Sequence, residues 1–536
     1  MSEAAEAQMP VFPDLESGQA YLSSLMLANP LAAEQQLTLF LESLLAEPPD
    51  PGILLQLLEQ ARAPLCFVEE EMARRYQNKP VPLNQEENSA FLQVIAAWRK
   101  MGKAYALCAR MEEPATENPD YEALVATILH RCIYYTGRVI LEHYPARREL
   151  PAGIWLELHG YYESAEEWGV ASLPVSDMLE NDLQATHCMA AYVSLLLIDM
   201  ANPYGQNARN LNLIRRWASM WAPLVSVEHL DDELVIPSYI VELMKDQALH
   251  PGSVIEGPSR DVRQLDTTRL GLQISHVLSQ LKMRLTPSQL GLGEDTAGHV
   301  TQLLEYLLRP WTQSASLRRF RRFASNGTAR VGLDFEDMHF FVSGKPFEQP
   351  GAAAAYSRDE FDQLFTFRDS VEPSGHALSI RPPAEFEAEA WAVVNHSASG
   401  FCMSRPVEGE RLMLGQLLSV CPHDGERFLL AHIVWLMAED SGSLLLGLST
   451  LPGVPTPIAV RIAALDGHAA NDRYVQAFMM PALPAVGEEA SLVLPQGFYQ
   501  ASRELEVFSG DTLRKLRMRH MLHRGHDFER VSFAEV

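Results

Sequence analysis

Apolar positions recur at helical spacing through the first three hundred residues. Leu37, Phe40, Leu41, Leu44 and Leu45 form one stripe, and Pro48 and Pro49 end it. Leu124, Ile128, Leu129, Cys132 and Ile133 form a second, and Val300, Leu303, Leu304, Leu307 and Leu308 a third, which Pro310 is expected to stop. Strand-like alternation is scarce across this region. Residues 1–310 are therefore predicted to be an all-helical domain, a bundle or array that buries these stripes against one another.

Beyond Pro310 the pattern changes to short apolar or alternating runs punctuated by Gly and Pro. Strands are predicted at Thr328–Leu333, Glu389–Val394, Phe401–Ser404, Arg411–Val420, Arg427–Leu436, Ser443–Leu448 and Ala459–Ile462. Phe335, Met338, His339 and Val342 share a face, which predicts a short helix over Asp334–Val342. The polar segment Gly344–Ala384 reads as an excursion, so residues 311–465 form a β-domain with an insertion at about 334–388. Glu489–Leu494, Arg503–Phe508 and Thr512–His523 are strand-like again and predict a β-subdomain or extension over 466–536. The fold class is thus α+β multidomain: an N-terminal all-α bundle or array, an antiparallel β-domain and a C-terminal β extension. The stretch Trp155–Tyr162 loosely resembles the start of a tetratricopeptide helix, but no second copy recurs at a fixed period.

Composition adds constraints. Apolar residues make up 47% and charged residues 21% of the 536, an ordinary globular balance. The formal net charge of −26 disfavours nucleic acid as a partner. An anionic ligand needs a local basic site against that field. The six cysteines include no CxxC pair, which predicts free thiols in a cytoplasmic protein and no structural metal. Met1–Gln8 lacks the basic start and apolar core of a signal peptide. The longest apolar run, about Cys188 to Ile198, is too short to span a bilayer, so no membrane insertion is expected.

Candidate chemistry is concentrated in two short segments. Arg318-Arg319-Phe320-Arg321-Arg322 supplies four cations in five residues. Arginine offers a bidentate fork for phosphate or a guanine edge, and a flat face for stacking. Asn395-His396-Ser397-Ala398-Ser399-Gly400 follows an apolar strand and suits a tight turn. Asn395 brings an amide, Ser397 a hydroxyl, and Gly400 room for backbone or ligand that a Cβ would fill.

Together these segments resemble the signature of PilZ domains, bacterial receptors for cyclic di-GMP. Arg318 and Arg322 match the two arginines of the family's RxxxR motif, with Arg319 the arginine often seen beside the first. Asn395, Ser397 and Gly400 match its [D/N]xSxxG motif. Ile433-Val434-Trp435 and Leu446-Gly447-Leu448 look like the family's later strands. The resemblance spans about 311–462. Asn395 follows Arg322 by 73 positions, more than is usual in the family, and the excursion accounts for the excess.

The resemblance implies a PilZ-like β-barrel and a cyclic di-GMP site at Arg318, Arg319, Arg322, Asn395, Ser397 and Gly400. It implies a ligand-driven change in domain arrangement, with a protein partner bound through the helical domain. The processes it implies are motility, pili, exopolysaccharide or biofilm control. It implies no catalysis and no cofactor besides the ligand. The alternative is a ligand-free scaffold that acts through its helical domain. His520, His523 and His526 are three apart in strand-like text, where such positions face opposite sides, so no metal site is expected. Arg514, Lys515, Arg517, Arg519 and Arg524 read as a charged, exposed edge strand. No HExxH, GxSxG, P-loop or GxGxxG sequence occurs.

Overall fold

The computed structural model describes residues 9–111, 118–177, 179, 185–230, 238–252, 259–312, 322–350, 386–463, 473–510 and 512–536. The chain divides into two units, one comprising 1–79 and 83–317 and the other Pro80–Pro82 and Arg318–Val536. The class is α+β multidomain, with helices first and antiparallel barrels after them.

The first unit opens with α1 (Leu15–Ser23), α2 (Pro30–Ala46), α3 (Pro51–Ala73) and α4 (Gln85–Cys108). It continues with α5 (Pro119–Ala146), α6 (Ile154–Glu167), α7 (Cys188–Met200) and α8 (Ala208–Trp221). Their starts are written in the sequence. Asn29, Asp50 and Asn118 cap helices whose first residue is proline, and each side-chain oxygen accepts a first-turn N–H. Asn84 and Glu87 form a reciprocal capping box at α4. One continuous core runs through these helices and holds Trp98, Tyr135, Tyr192 and Trp217.

That core also carries ions. Arg62 grips both oxygens of Asp177 at 2.9 and 2.8 Å, and Arg131 donates to the same carboxylate at 3.0 Å. Arg131 donates to Glu59 as well, at 2.8 and 3.0 Å. In α3, the buried Glu69 has no hydrogen-bond partner on either oxygen among the described residues.

The region read as wholly helical also contains a four-stranded antiparallel sheet. Its strands are β1 (Ser226–His229), β2 (Tyr239–Glu242), β3 (His250–Pro251) and β4 (Val262–Asp266), in the order β1-β4-β2-β3. None exceeds five residues, too few to show alternation. Then come α9 (Thr268–Lys282) and α10 (Ala297–Thr312). Pro310 does not stop α10. Trp311, fully buried, donates its indole N–H to the Leu197 carbonyl at 2.7 Å, and the Pro310 carbonyl accepts the Tyr239 hydroxyl at 2.6 Å. These contacts outweigh the proline's local preference.

The second unit contains two barrels. The first uses β5 (Phe323–Ala324), β6 (Thr328–Gly332), β7 (Glu389–Ser397), β8 (Gly400–Pro406), β9 (Leu417–Pro422), β10 (Leu429–Ala438) and β11 (Ser443–Thr450), with α11 (Phe335–Ser343) after β6. The sheet order is β5-β7-β6-β9-β10-β11-β8, and β7 also pairs with β8. That extra pairing closes six strands into a ring. β5 and β6 lie in tandem along one edge of β7, joined by Ser325 N–H to Val394 O at 3.1 Å and Val393 N–H to Gly327 O at 2.8 Å. Asp334 caps α11 by accepting from Asp337 N–H. Val81 makes an isolated bridge to Leu412, so 411–416 is not the predicted strand. The insertion expected at 334–388 begins with α11, and its 351–385 portion lies outside the described residues.

The second barrel is closed in the order β12-β13-β14-β17-β16-β15. Its strands are β12 (Thr456–Ile462), β13 (Val475–Met480), β14 (Ser491–Pro495), β15 (Glu504–Ser509), β16 (Thr512–Arg524) and β17 (Phe528–Glu535). The strand at 459–462, assigned from sequence to the first β-domain, belongs here, pairing with β13 and β15. The basic run of β16 is not an edge. It pairs on both sides, and its charges point outward, with Arg517 reaching Glu504 at 2.6 Å and Arg524 reaching Glu529 at 3.0 Å. The barrels share a core: Leu417, Leu430 and Leu451 of the first meet Phe478, Met480, Val493 and Phe528 of the second. Backbone joins them too, Leu417 N–H donating to Asp527 at 2.9 Å and His526 N–H to Gly415 O at 2.8 Å.

All six cysteines are free thiols. Among the described residues no helix is long and apolar enough to cross a membrane.

Candidate functional site

The predicted ligand residues converge, as far as they are described, on one corner of the first barrel. β5 runs antiparallel to the end of β7, with Phe323 opposite His396 and Ala324 opposite Asn395. Continuing that register by one residue places the exposed Arg322 beside Ser397. Arg322 thus meets the second motif across a strand pair, although Asn395 follows it by 73 positions. Arg318 and Arg319 lie outside the described residues.

The second motif is the β7–β8 hairpin. Ser397 pairs with Gly400, leaving Ala398 and Ser399 as a two-residue loop. The Ser397 hydroxyl donates to the Gly400 carbonyl at 3.5 Å and accepts the Ser399 N–H at 3.4 Å. Thr450 N–H donates to the Ser399 carbonyl at 3.0 Å, tying the loop to β11. A register shift between Val393 and Asn395 marks a bulge just before the motif. The half-buried Asn395 amide has no hydrogen-bond partner among the described residues.

Of the two reasons for glycine at 400, room for backbone or for ligand, the structure displays the first. A Cβ there would lie 2.0 Å from the Leu448 carbonyl oxygen, inside the β8–β11 pair. Its conservation of space serves the barrel's own backbone. Gly447 is a parallel case, since a Cβ would meet the Trp435 indole nitrogen at 2.0 Å. Trp435 and Gly447 are direct cross-strand partners.

Three neighbours were not singled out by sequence. Phe323 and His396 face each other with ring centroids 5.9 Å apart, and Phe323 is half exposed. An aromatic directly after an arginine cluster was the available signal. Cys402 sits opposite Asn395. Burial pushes its thiol up, while the nearby Arg322 charge pulls it down. The corner therefore places Arg322, Asn395 and Ser397 on one face of the β5–β7 pair and the Phe323–His396 rings on the other.

Of the other sequence features, His523 of β16 stacks on Phe528, 5.4 Å between centroids, and faces His432 of β10 at 4.5 Å. Among the described residues no group of three or more His, Cys, Asp or Glu is arranged to hold a metal ion.

Fold and site together define a multidomain protein in which a helical unit precedes two joined barrels, with an arginine-flanked hairpin on the first. The family model for the N-terminal domain of the cyclic-di-GMP receptor FimW matches residues 16–232, and that for the FimW C-terminal beta-barrel domain matches 458–536. A curated relative, the cyclic-di-GMP receptor FimW of Pseudomonas aeruginosa, is 22% identical over 505 residues, covering 84% of this chain and 79% of its own. The chain is thus similar, in its helical part and in its C-terminal barrel, to a cyclic-di-GMP receptor.

Proposed function

We propose that the chain is a bacterial cyclic di-GMP receptor of PilZ type and not an enzyme. The observation that carries this is the β5–β7 pairing, which brings Arg322 to the Asn395–Gly400 hairpin. Cyclic di-GMP offers two phosphates and two guanines. Arg318, Arg319 and Arg322 supply cations for the phosphates and guanine edges. Asn395 and Ser397 add an amide and a hydroxyl. Gly400 keeps the hairpin in place beside β11.

The arginine segment is also the covalent link between α10 and β5. Ligand binding at that segment would change the domain arrangement, and with it the helical unit's availability to a protein partner. A ligand shifts such a balance only by its differential affinity for the two states. Micromolar affinity corresponds to about 8 kcal/mol at standard state, ample for a useful shift. The output we assign is control of motility, pili, exopolysaccharide or biofilm in the cytoplasm.

Calorimetric titration of cyclic di-GMP into the full chain and into Arg318→Ala/Arg322→Ala tests this. Micromolar or tighter binding, lost in the double variant, is expected. Absence of binding to the native chain would refute the receptor and leave the scaffold reading.

A further inference from the structure

The helical unit holds a cavity of about 410 Å³ between α3, α5, α7 and α8. Its lining is unusual for a chain of net charge −26. Arg138 of α5 and Arg215 and Arg216 of α8 contribute to the wall, against a single carboxylate, Glu70. Residues of α7, including Ala190, Leu195 and Ile198, make an apolar side. The volume falls within the range of small-molecule sites.

Two of these arginines, Arg138 and Arg215, are incompletely paired. Arg138 donates to Glu142 at 3.3 Å and lies over the Trp98 ring at 4.8 Å. Arg215 donates to the Leu141 carbonyl. The Nε donors of both are buried with no hydrogen-bond partner among the described residues. Three guanidinium groups faced by one carboxylate among the lining residues make the cavity electropositive and suited to an anion. Burial lowers the pKa of Arg215, Glu142 opposes that, and the like charge of Arg138 adds to it. Glu142 is shared, accepting from Tyr76 at 2.7 Å and Gln77 at 3.2 Å as well as from Arg138. Tyr134 also lines the cavity, with a hydroxyl that has no hydrogen-bond partner among the described residues.

We propose that this cavity is a second ligand site, separate from the barrel corner, for a small phosphorylated molecule. The arginines would take the phosphate bidentately, and the α7 wall would cover an apolar or planar body. A carboxylate alone would leave more of the guanidinium donors unmet, which favours phosphate.

The test titrates inorganic pyrophosphate and GMP into the full chain, followed by calorimetry and by thermal unfolding. Saturable binding at one site and a raised unfolding midpoint are expected. Arg215→Gln should weaken binding at least about tenfold, the loss of one charge-assisted contact. Its far-ultraviolet dichroism and ligand-free midpoint report whether it folds, and Arg138→Gln serves as the second variant should it fail. Binding of neither compound, or equal affinity in native chain and folded variants, overturns the proposal.

Discussion

The Leu448 carbonyl oxygen stands where Gly400 has no side chain, 2.0 Å from the position a Cβ would take. Backbone cannot yield as a flexible side chain can, so Gly400→Ala must part β8 from β11 where the barrel closes. A loss of about 1–3 kcal/mol is expected, the usual range for a steric insult in a packed strand. Urea denaturation measures it. An unchanged midpoint would show that the strands shift freely. Lost ligand binding in this variant reports the barrel first and the contact second.

Asp177 is gripped by two arginines in the helical core, with its side chain fully buried. Removing it leaves Arg62 without its bidentate partner and Arg131 with Glu59 as its remaining carboxylate, beside the Ser176 carbonyl. Asp177→Ala is expected to cost about 3–5 kcal/mol, the penalty of stranding a buried charge. Denaturation followed by far-ultraviolet dichroism checks this, since the helical unit supplies that signal.

Glu69 gives the helical unit a pH dependence. Burial raises its pKa to about 9, and the charges of Glu34 and Glu142 add to the rise. A carboxyl raised in the folded state contributes stability below its unfolded value of 4.5 and loses it as pH rises towards 9. Glu69→Gln removes the titration. The variant should therefore gain on the native chain between pH 5 and 9, by more than about 2 kcal/mol at the upper end. Parallel stability curves across that range would mean Glu69 finds a partner in solution.

His432 acts in the opposite direction at the joint of the two barrels. Burial lowers its pKa to about 4, and neighbouring His523 and Arg530 add to the fall. An imidazole held neutral contributes stability above its ordinary 6.5 and loses it as pH falls towards 4. His432→Phe should flatten the loss of stability over that interval. Thermal midpoints at pH 7, 5.5 and 4.5 decide it.

Local patterns were legible wherever neighbours in sequence settle the structure. Asp334 with a helical apolar face was enough for α11, and apolar alternation was enough for β6 and β7. What failed depended on distant partners. Pro310 stays helical because Trp311 is held by Leu197 and Tyr239 bonds the Pro310 carbonyl. The strand at 456–462 looks like the last of one barrel but pairs within the next, and nothing local says which. The charges on β16 resemble edge protection, yet they cover the outside of a closed ring.

The site was legible to a similar depth. Residue types and order named Arg322, Asn395 and Ser397, and strand pairing supplied their proximity. Sequence could not separate a glycine that admits a ligand from one that admits a carbonyl, because the Leu448 backbone approaches from 48 positions away. Phe323 was passed over because its ring partner, His396, lies 73 positions further along the sequence.

The common core of the barrels has a consequence for biosynthesis. Leu417 and Leu430 are covered by Phe478, Met480, Val493 and Phe528, and Leu417 N–H is bonded by Asp527. All of the first barrel's strands have been translated by Thr450, yet its last covering residue is Phe528. At roughly 5–20 residues per second, several seconds separate the two on the ribosome. During that delay the nascent first barrel presents open apolar surface. Its completion is timed by the arrival of the C-terminus.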